Sequence, residues 1–280
     1  MSPNGSVPGR PFPLPAAIAA TAAGIVAMVG GSGLLVSRPG LGLRGQIAIG
    51  TLLLALPAVA ALALRPGWWP SVSGASIAGR TVGFSLLLGA ALWLASAGLM
   101  EVQSLVVPPP PEYLELFRAI HRALAPNGPL DALVSVLVIA VLPGVCEELV
   151  IRGVLLPSLA RSLGASLPLE ERPSGPLAPS AWLAVALSAL VFAVIHFDPF
   201  RFLFTLVLGL VFGYVRLRAG SLWPSVLAHT ALNTLTFAIA PFVDDPSQPY
   251  TPSPALGAAC LLAGSALSWP LLRTVAPPRR

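Results

Sequence analysis

The sequence predicts an all-α fold, a polytopic transmembrane helical bundle of about eight spans, and three observations predict it. Of 280 residues, 55% are hydrophobic and only 10% are charged, where a soluble domain carries about a quarter. Mean hydropathy is +0.83. The apolar residues also gather into runs of the length a helix needs to cross a hydrocarbon core about 30 Å thick.

Taken in order, the spans fall at 16–36, 47–64, 81–100, 131–157, 181–197, 202–216, 222–240 and 255–272. The run from Pro15 to Val36 is long enough to span and does not read as a short signal core. The first three spans and the last contain almost nothing polar beyond Ser and Thr, as lipid-facing packing helices would. Spans five and six are the shortest. Between spans three and four, "PPPP" at 108–111 introduces a stripe of Tyr113, Leu116, Phe117, Ile120 and Leu124, with Glu112, Glu115, Arg118 and Arg122 opposite. That pattern predicts an amphipathic helix lying at the interface, with His121 solvated. The chain divides into N-terminal helices with this amphipathic loop (1–130), a core (131–240) and a C-terminal helix and tail (241–280).

All sixteen basic residues are arginines, and the formal charge is +5. They are scattered through connecting segments with no basic run, which excludes a nucleic-acid partner and leaves the bilayer itself. Arg10, Arg65, Arg80, Arg161, Arg172, Arg216, Arg218, Arg273, Arg279 and Arg280 fall on one side of an eight-span arrangement. Only Arg38, Arg44, Arg118, Arg122 and Arg201 fall on the other. The bias predicts both termini in the cytoplasm of a cell membrane, a bacterial inner membrane for preference. Cys146 and Cys260 lie in apolar runs, which predicts buried, inert thiols and no disulfide framework.

Ionisable groups at membrane depth cost about 2.5–3.5 kcal/mol each on insertion scales, so they are paired or functional. Here they concentrate in three spans. Glu147, Glu148 and Arg152 lie in "PGVCEELVIRGVLL"; Phe192 and His196 in "FAVIH"; His229 and Asn233 in "HTALN". Glu148 and Arg152 stand four apart on one helix face and pair. Glu147 points about 100° away around the helix, so the two glutamates have different roles, one pinned and one presented to a cavity. Pro143 leaves a carbonyl free four residues back and makes room beside Glu147. Two chemistries suit the set. Glu147, His196 and His229 make a zinc-ligand set with a second Glu as base. Alternatively, a Glu–His pair activates water directly while His and Asn donate to an oxyanion. Both deliver water to a carbonyl. No Gly-x-Ser-x-Gly elbow is present, and Cys146 in apolar surroundings is a poor nucleophile. The absence of an internal repeat speaks against a proton-coupled transporter.

Glu-Glu-x-x-x-Arg, Phe-x-x-x-His and His-x-x-x-Asn in this order, over roughly 131–240, resemble the CPBP intramembrane protease family, which includes the CAAX prenyl endopeptidases of the Abi group. Ile151 stands where many bacterial members have Phe. The resemblance implies an intramembrane endopeptidase cleaving a membrane-associated peptide or protein. It implies that Glu147 with His196 activates the water, that Arg152 orients Glu148, that His229 and Asn233 stabilise the oxyanion, and that Phe192 lines the cavity. It implies no required cofactor, with zinc on Glu147, His196 and His229 as the metal-dependent alternative. A non-catalytic immunity or scaffold protein, keeping the polar cluster for helix packing, is the alternative from another class.

Overall fold

The computed structural model describes residues 11–36, 40–165, 176–243 and 253–275. Ten helices follow one another there: α1 (Leu14–Val36), α2 (Gly42–Leu64), α3 (Trp69–Ser73), α4 (Gly79–Ser104), α5 (Pro111–Leu124), α6 (Pro129–Ser162), α7 (Pro179–Val194), α8 (Phe202–Ala219), α9 (Trp223–Val243) and α10 (Pro254–Val275). Among the described residues there is no strand, only an isolated antiparallel bridge between Gly74 and Ser221. Eight of these helices coincide with the eight predicted spans, and the fold is a polytopic helical bundle. Six (α1, α2, α4, α6, α8 and α10) are long and apolar enough to cross a membrane by length and composition. Helix α7 is shorter, at 16 residues, and α9 interrupts its apolar run with His229, Thr230, Asn233 and Thr234.

Prolines set the starts. Pro111, Pro129 and Pro179 each open a helix, where the missing N–H costs nothing and the fixed φ suits the first turn. Helix α8 stops at Gly220, whose φ of 63° is a left-handed C-cap conformation.

Helix α6 is the centre of the bundle. It touches α1, α2, α3, α7, α8 and α9, while α4 packs mainly on α10 and α9. Half of its apolar window is buried, against 17% for α10 and 22% for α1, so the latter two are the peripheral, lipid-facing members. In lipid, apolar surface alone does not hold helices together; close van der Waals approach does. Gly144 supplies it at the α6–α9 contact, where a Cβ would lie 2.4 Å from Thr230 Oγ1. Gly209 does the same between α8 and α7, where a Cβ would meet Ala189 Cβ at 2.8 Å.

Within α6 the helix widens twice to π-helical winding, over Leu137–Val141 and Leu149–Leu155. Each stretch ends two residues before a proline, Pro143 or Pro157. A proline ring collides with the carbonyl four residues back and has no N–H to give it, and one wider turn relieves both. Leu142 N–H accordingly bonds Leu137 O, and Leu156 N–H bonds Ile151 O, each five residues back.

Several expectations change. Arg216 and Arg218 are not loop charges; both lie inside α8 and are 2% and 4% exposed. Helix α7 ends at Val194, so His196 sits in the turn after it and not inside a span. On α5, Leu116 is exposed, and Leu114 takes the half-buried place on the inner face. His121 is half-buried, its ring 4.2 Å from Phe117 edge-on, and so is not simply solvated. Arg10, Arg38, Arg172, Arg279 and Arg280, part of the charge bias, lie outside the described residues.

Candidate active site

Glu147, Glu148 and Arg152 come from α6, Phe192 from α7, His196 from the turn beyond it, and His229 from α9. The structure brings these six together. Glu148 and Arg152 are fully buried, and Arg152 Nη1 donates to Glu148 Oε1 at 2.9 Å across one helical turn. The same oxygen accepts from His229 Nδ1 at 3.1 Å. Arg152 Nη2 donates to the Gly209 carbonyl at 3.2 Å. Its guanidinium lies between two rings, 4.1 Å from the centroid of Phe192 and 5.6 Å from that of Phe212. Aromatic faces supply attraction to a desolvated cation that water cannot give here. Phe212 also stacks on His229 at 5.3 Å. One oxygen, one cation and two rings therefore fix the His229 imidazole.

Glu147 faces the other way. Its side chain keeps 18% exposure, and its Oε2 lies 4.0 Å from both His196 Nε2 and His229 Nε2. That oxygen is sealed and makes no hydrogen bond, so the exposure belongs to the rest of the side chain. His196, 21% exposed, bonds the Phe192 carbonyl through Nδ1 at 2.7 Å. A carbonyl only accepts, so Nδ1 carries the proton and a neutral His196 turns the lone pair of Nε2 towards Glu147. The same reasoning puts a proton on His229 Nδ1, against the carboxylate. Both imidazoles are thus held by one nitrogen and aim the other at one carboxylate.

Asn233 lies one turn on from His229 in α9 and is half-buried; among the described residues it makes no hydrogen bond to this cluster. Cys146 is buried in the apolar cluster with Leu149, Val150 and Phe192. A tetrahedral zinc ion holds its donors about 2.1 Å away and so about 3.4 Å apart. The 4.0 Å separations are wider, and no three His, Cys, Asp or Glu side chains among the described residues are spaced to hold a metal. The residues as they stand do not fit zinc.

Beside His196 a shallow pocket of about 380 Å³ is lined by Ala193, Val194, Phe197, Asp198, Pro199 and Phe202. Phe197 adopts φ 50°, a left-handed conformation that a bulky residue rarely takes. Asp198 holds this turn: its Oδ1 accepts from Phe200 N and Arg201 N, and its Oδ2 from Tyr113 Oη on α5 at 2.8 Å. Burial, and then the bond to Asp198, raise the Tyr113 phenol well above its ordinary range, which keeps it a donor. Phe212, Gly209 and Tyr113 are site neighbours that sequence reasoning missed. Gly209 and Phe212 are three apart on one face of α8, but in an apolar run nothing marks them out.

No curated protein and no solved structure matches the chain. Residues 129–235 match the family model of the Rce1-like, type II CAAX prenyl endopeptidases. The stretch that holds the polar core of this multi-pass membrane protein is thus similar to the CAAX-type intramembrane proteases, and the match supports the CPBP family for it.

Proposed function

We propose that this chain is an intramembrane endopeptidase that hydrolyses a peptide bond of a membrane-associated peptide or protein with water activated by Glu147 and His196. One observation carries the reading. One oxygen of the Glu147 carboxylate, without a hydrogen-bond partner, stands 4.0 Å from two imidazole nitrogens, and each imidazole is fixed by its other nitrogen. In the proposed reaction Glu147 takes a proton from water as the oxygen attacks the scissile carbonyl carbon. His196 Nε2 accepts the second O–H of that water and orients it. The carbonyl oxygen becomes an oxyanion, stabilised by His229 Nε2–H and the Asn233 amide. For Nε2 to donate while Nδ1–H is bonded to Glu148, the His229 ring must be an imidazolium, and the Glu148 carboxylate behind it supports that charge. When the carbon–nitrogen bond breaks, the proton held by Glu147 passes to the leaving amine. The apolar lining beside His196 suits a hydrophobic substrate side chain next to the scissile bond.

The chain is proposed to sit in a cell membrane with both termini cytoplasmic. Setting aside the buried Arg216 and Arg218 leaves the arginine bias on the same side. The sealed Glu148–Arg152 pair supports a second reading, a non-catalytic immunity or scaffold protein in which the cluster only fixes helix packing. Glu147→Gln separates the two. Membrane peptides from cells carrying wild type or variant, and turnover of a farnesylated CAAX peptide in detergent, are compared at equal membrane levels. The protease reading requires loss of cleavage in the variant; an unchanged peptide profile and an unchanged phenotype would leave the scaffold reading.

A further inference from the structure

Arg216 is the least expected group in the bundle. It is 2% exposed although it lies in the last turn of α8, and no carboxylate pairs with it among the described ion pairs. Its donors go to backbone oxygens instead. Nε donates to the Arg152 carbonyl at 3.1 Å, and Nη2 to the Ser71 and Val72 carbonyls at 3.2 and 3.1 Å.

The Arg152 carbonyl needs this donor for a reason written in α6. In α-helical winding its partner would be Leu156 N–H, but the π-helical stretch gives that N–H to Ile151 O. In π-helical winding its partner would be the N–H of residue 157, which is proline. The wide turn and Pro157 together leave the oxygen of Arg152 without a helical donor, at a depth where an unpaired carbonyl is expensive. Arg216 fills that place. With the same fork it reaches the backbone of α3, whose Val72 packs against Gly153 in the π turn. A lysine, with a single point charge, cannot serve three carbonyls in this fixed plane.

The geometry points to Arg216 as a positioning residue for the active site. By holding the backbone of Arg152, it fixes the π turn from which Arg152 reaches Glu148, and through Glu148 it sets the tautomer and aim of His229. This rests on the proposed division of labour between Glu148 and Glu147, but its test does not depend on it.

The test uses the full chain labelled with ¹⁵N-histidine in detergent micelles, with the His229 Nδ1–H resonance assigned through His229→Gln, beside turnover of a farnesylated CAAX peptide. Arg216→Met removes all the donations and is expected to shift the His229 resonance, expose it to exchange and lower turnover about 10- to 100-fold, the scale of an approximately 1 Å misplacement. Arg216→Lys, the milder change, is expected to move both readouts in the same direction by less. Pro157→Ala gives residue 157 an N–H that can reach the Arg152 carbonyl. Added to either variant, it is expected to restore the resonance and most of the turnover, whereas alone it leaves both at wild type. A purely space-filling role for Arg216 has no reason to respond to a proton donor at 157. The inference is overturned if the resonance is unmoved in Arg216→Met and Arg216→Lys, or if Pro157→Ala restores nothing in either. Should Arg216→Met fail to insert, the Lys series decides between the same two outcomes. If the resonances behave as expected but wild type cleaves no peptide, the protease reading falls and the positioning role stands.

Discussion

Two glutamates adjacent in the chain occupy opposite environments. Glu148 is fully buried, paired with Arg152 and bonded to His229. Glu147 keeps partial exposure, touches no cation directly, and has two imidazole nitrogens at 4.0 Å. The rotation of about 100° between neighbours on a helix sends one side chain into the seal of the bundle and the other towards its opening. A buried ion pair gives little net stability over an apolar replacement, so its value here lies in geometry. It makes one wall of the candidate site rigid, against which the part-exposed Glu147 side chain is set.

The widest separation between the two residues is expected from their removal. Glu147→Gln should reduce hydrolysis by about 10²–10⁴-fold, the usual worth of a general base, without lowering the melting temperature in detergent; a matching fall in both would erase the contrast with Glu148. Arg152→Met should do the reverse to stability, costing about 3–5 kcal/mol because the buried Glu148 loses its arginine counter-charge and keeps only the bond to His229. Replacing the pair together, Glu148→Leu with Arg152→Met, should recover stability in a thermal melt. Activity should remain lost, because His229 Nδ1–H then has no acceptor. Recovery of both would show the sealed half to be dispensable.

Smaller effects sharpen the boundary between the halves. Gly144→Ala places a methyl 2.4 Å from Thr230 Oγ1 and should push α6 off α9 at about 1–3 kcal/mol of strain; Thr230→Ala should return part of it in the same melt. The smallest effect is expected at the open edge. Tyr113→Phe removes the bond to Asp198 and should cost about 1 kcal/mol. Since burial raises the Tyr113 phenol, that contribution is complete below the ordinary tyrosine value of about 10 and declines only as pH rises towards the raised folded value. The melting difference between wild type and Tyr113→Phe should therefore be constant from about pH 6 to 9. A difference that faded within that range would mean the phenol is not held by Asp198.

Much of this was legible in residues. Eight apolar runs became eight helices because a backbone in hydrocarbon must satisfy its own hydrogen bonds. The i,i+4 spacing of Glu148 and Arg152 was enough to foresee a pair, since both ends lie on one helix. The meeting of Glu147 with His196 and His229 was not a matter of spacing. The three residues lie on separate elements, and the turn after α7 and the close α6–α9 contact at Gly144 bring them to 4.0 Å. Arg216 escapes such reading for a plain reason. A basic residue near the end of a span follows the positive-inside pattern, and nothing in its neighbours shows that a π turn in another helix needs a donor.

By itself, then, the sequence determined a polytopic apolar bundle, the order of its long helices and where ionisable residues gather among them, because composition, periodicity and the cost of charge in lipid act locally. Tertiary structure decided that His229 also bonds the pinned glutamate, which nitrogen of each histidine is free, and that Arg216 serves the Arg152 carbonyl. Those outcomes depend on which helices touch and at what separation, and a hydrogen bond between residues dozens of positions apart leaves no periodic trace along the chain.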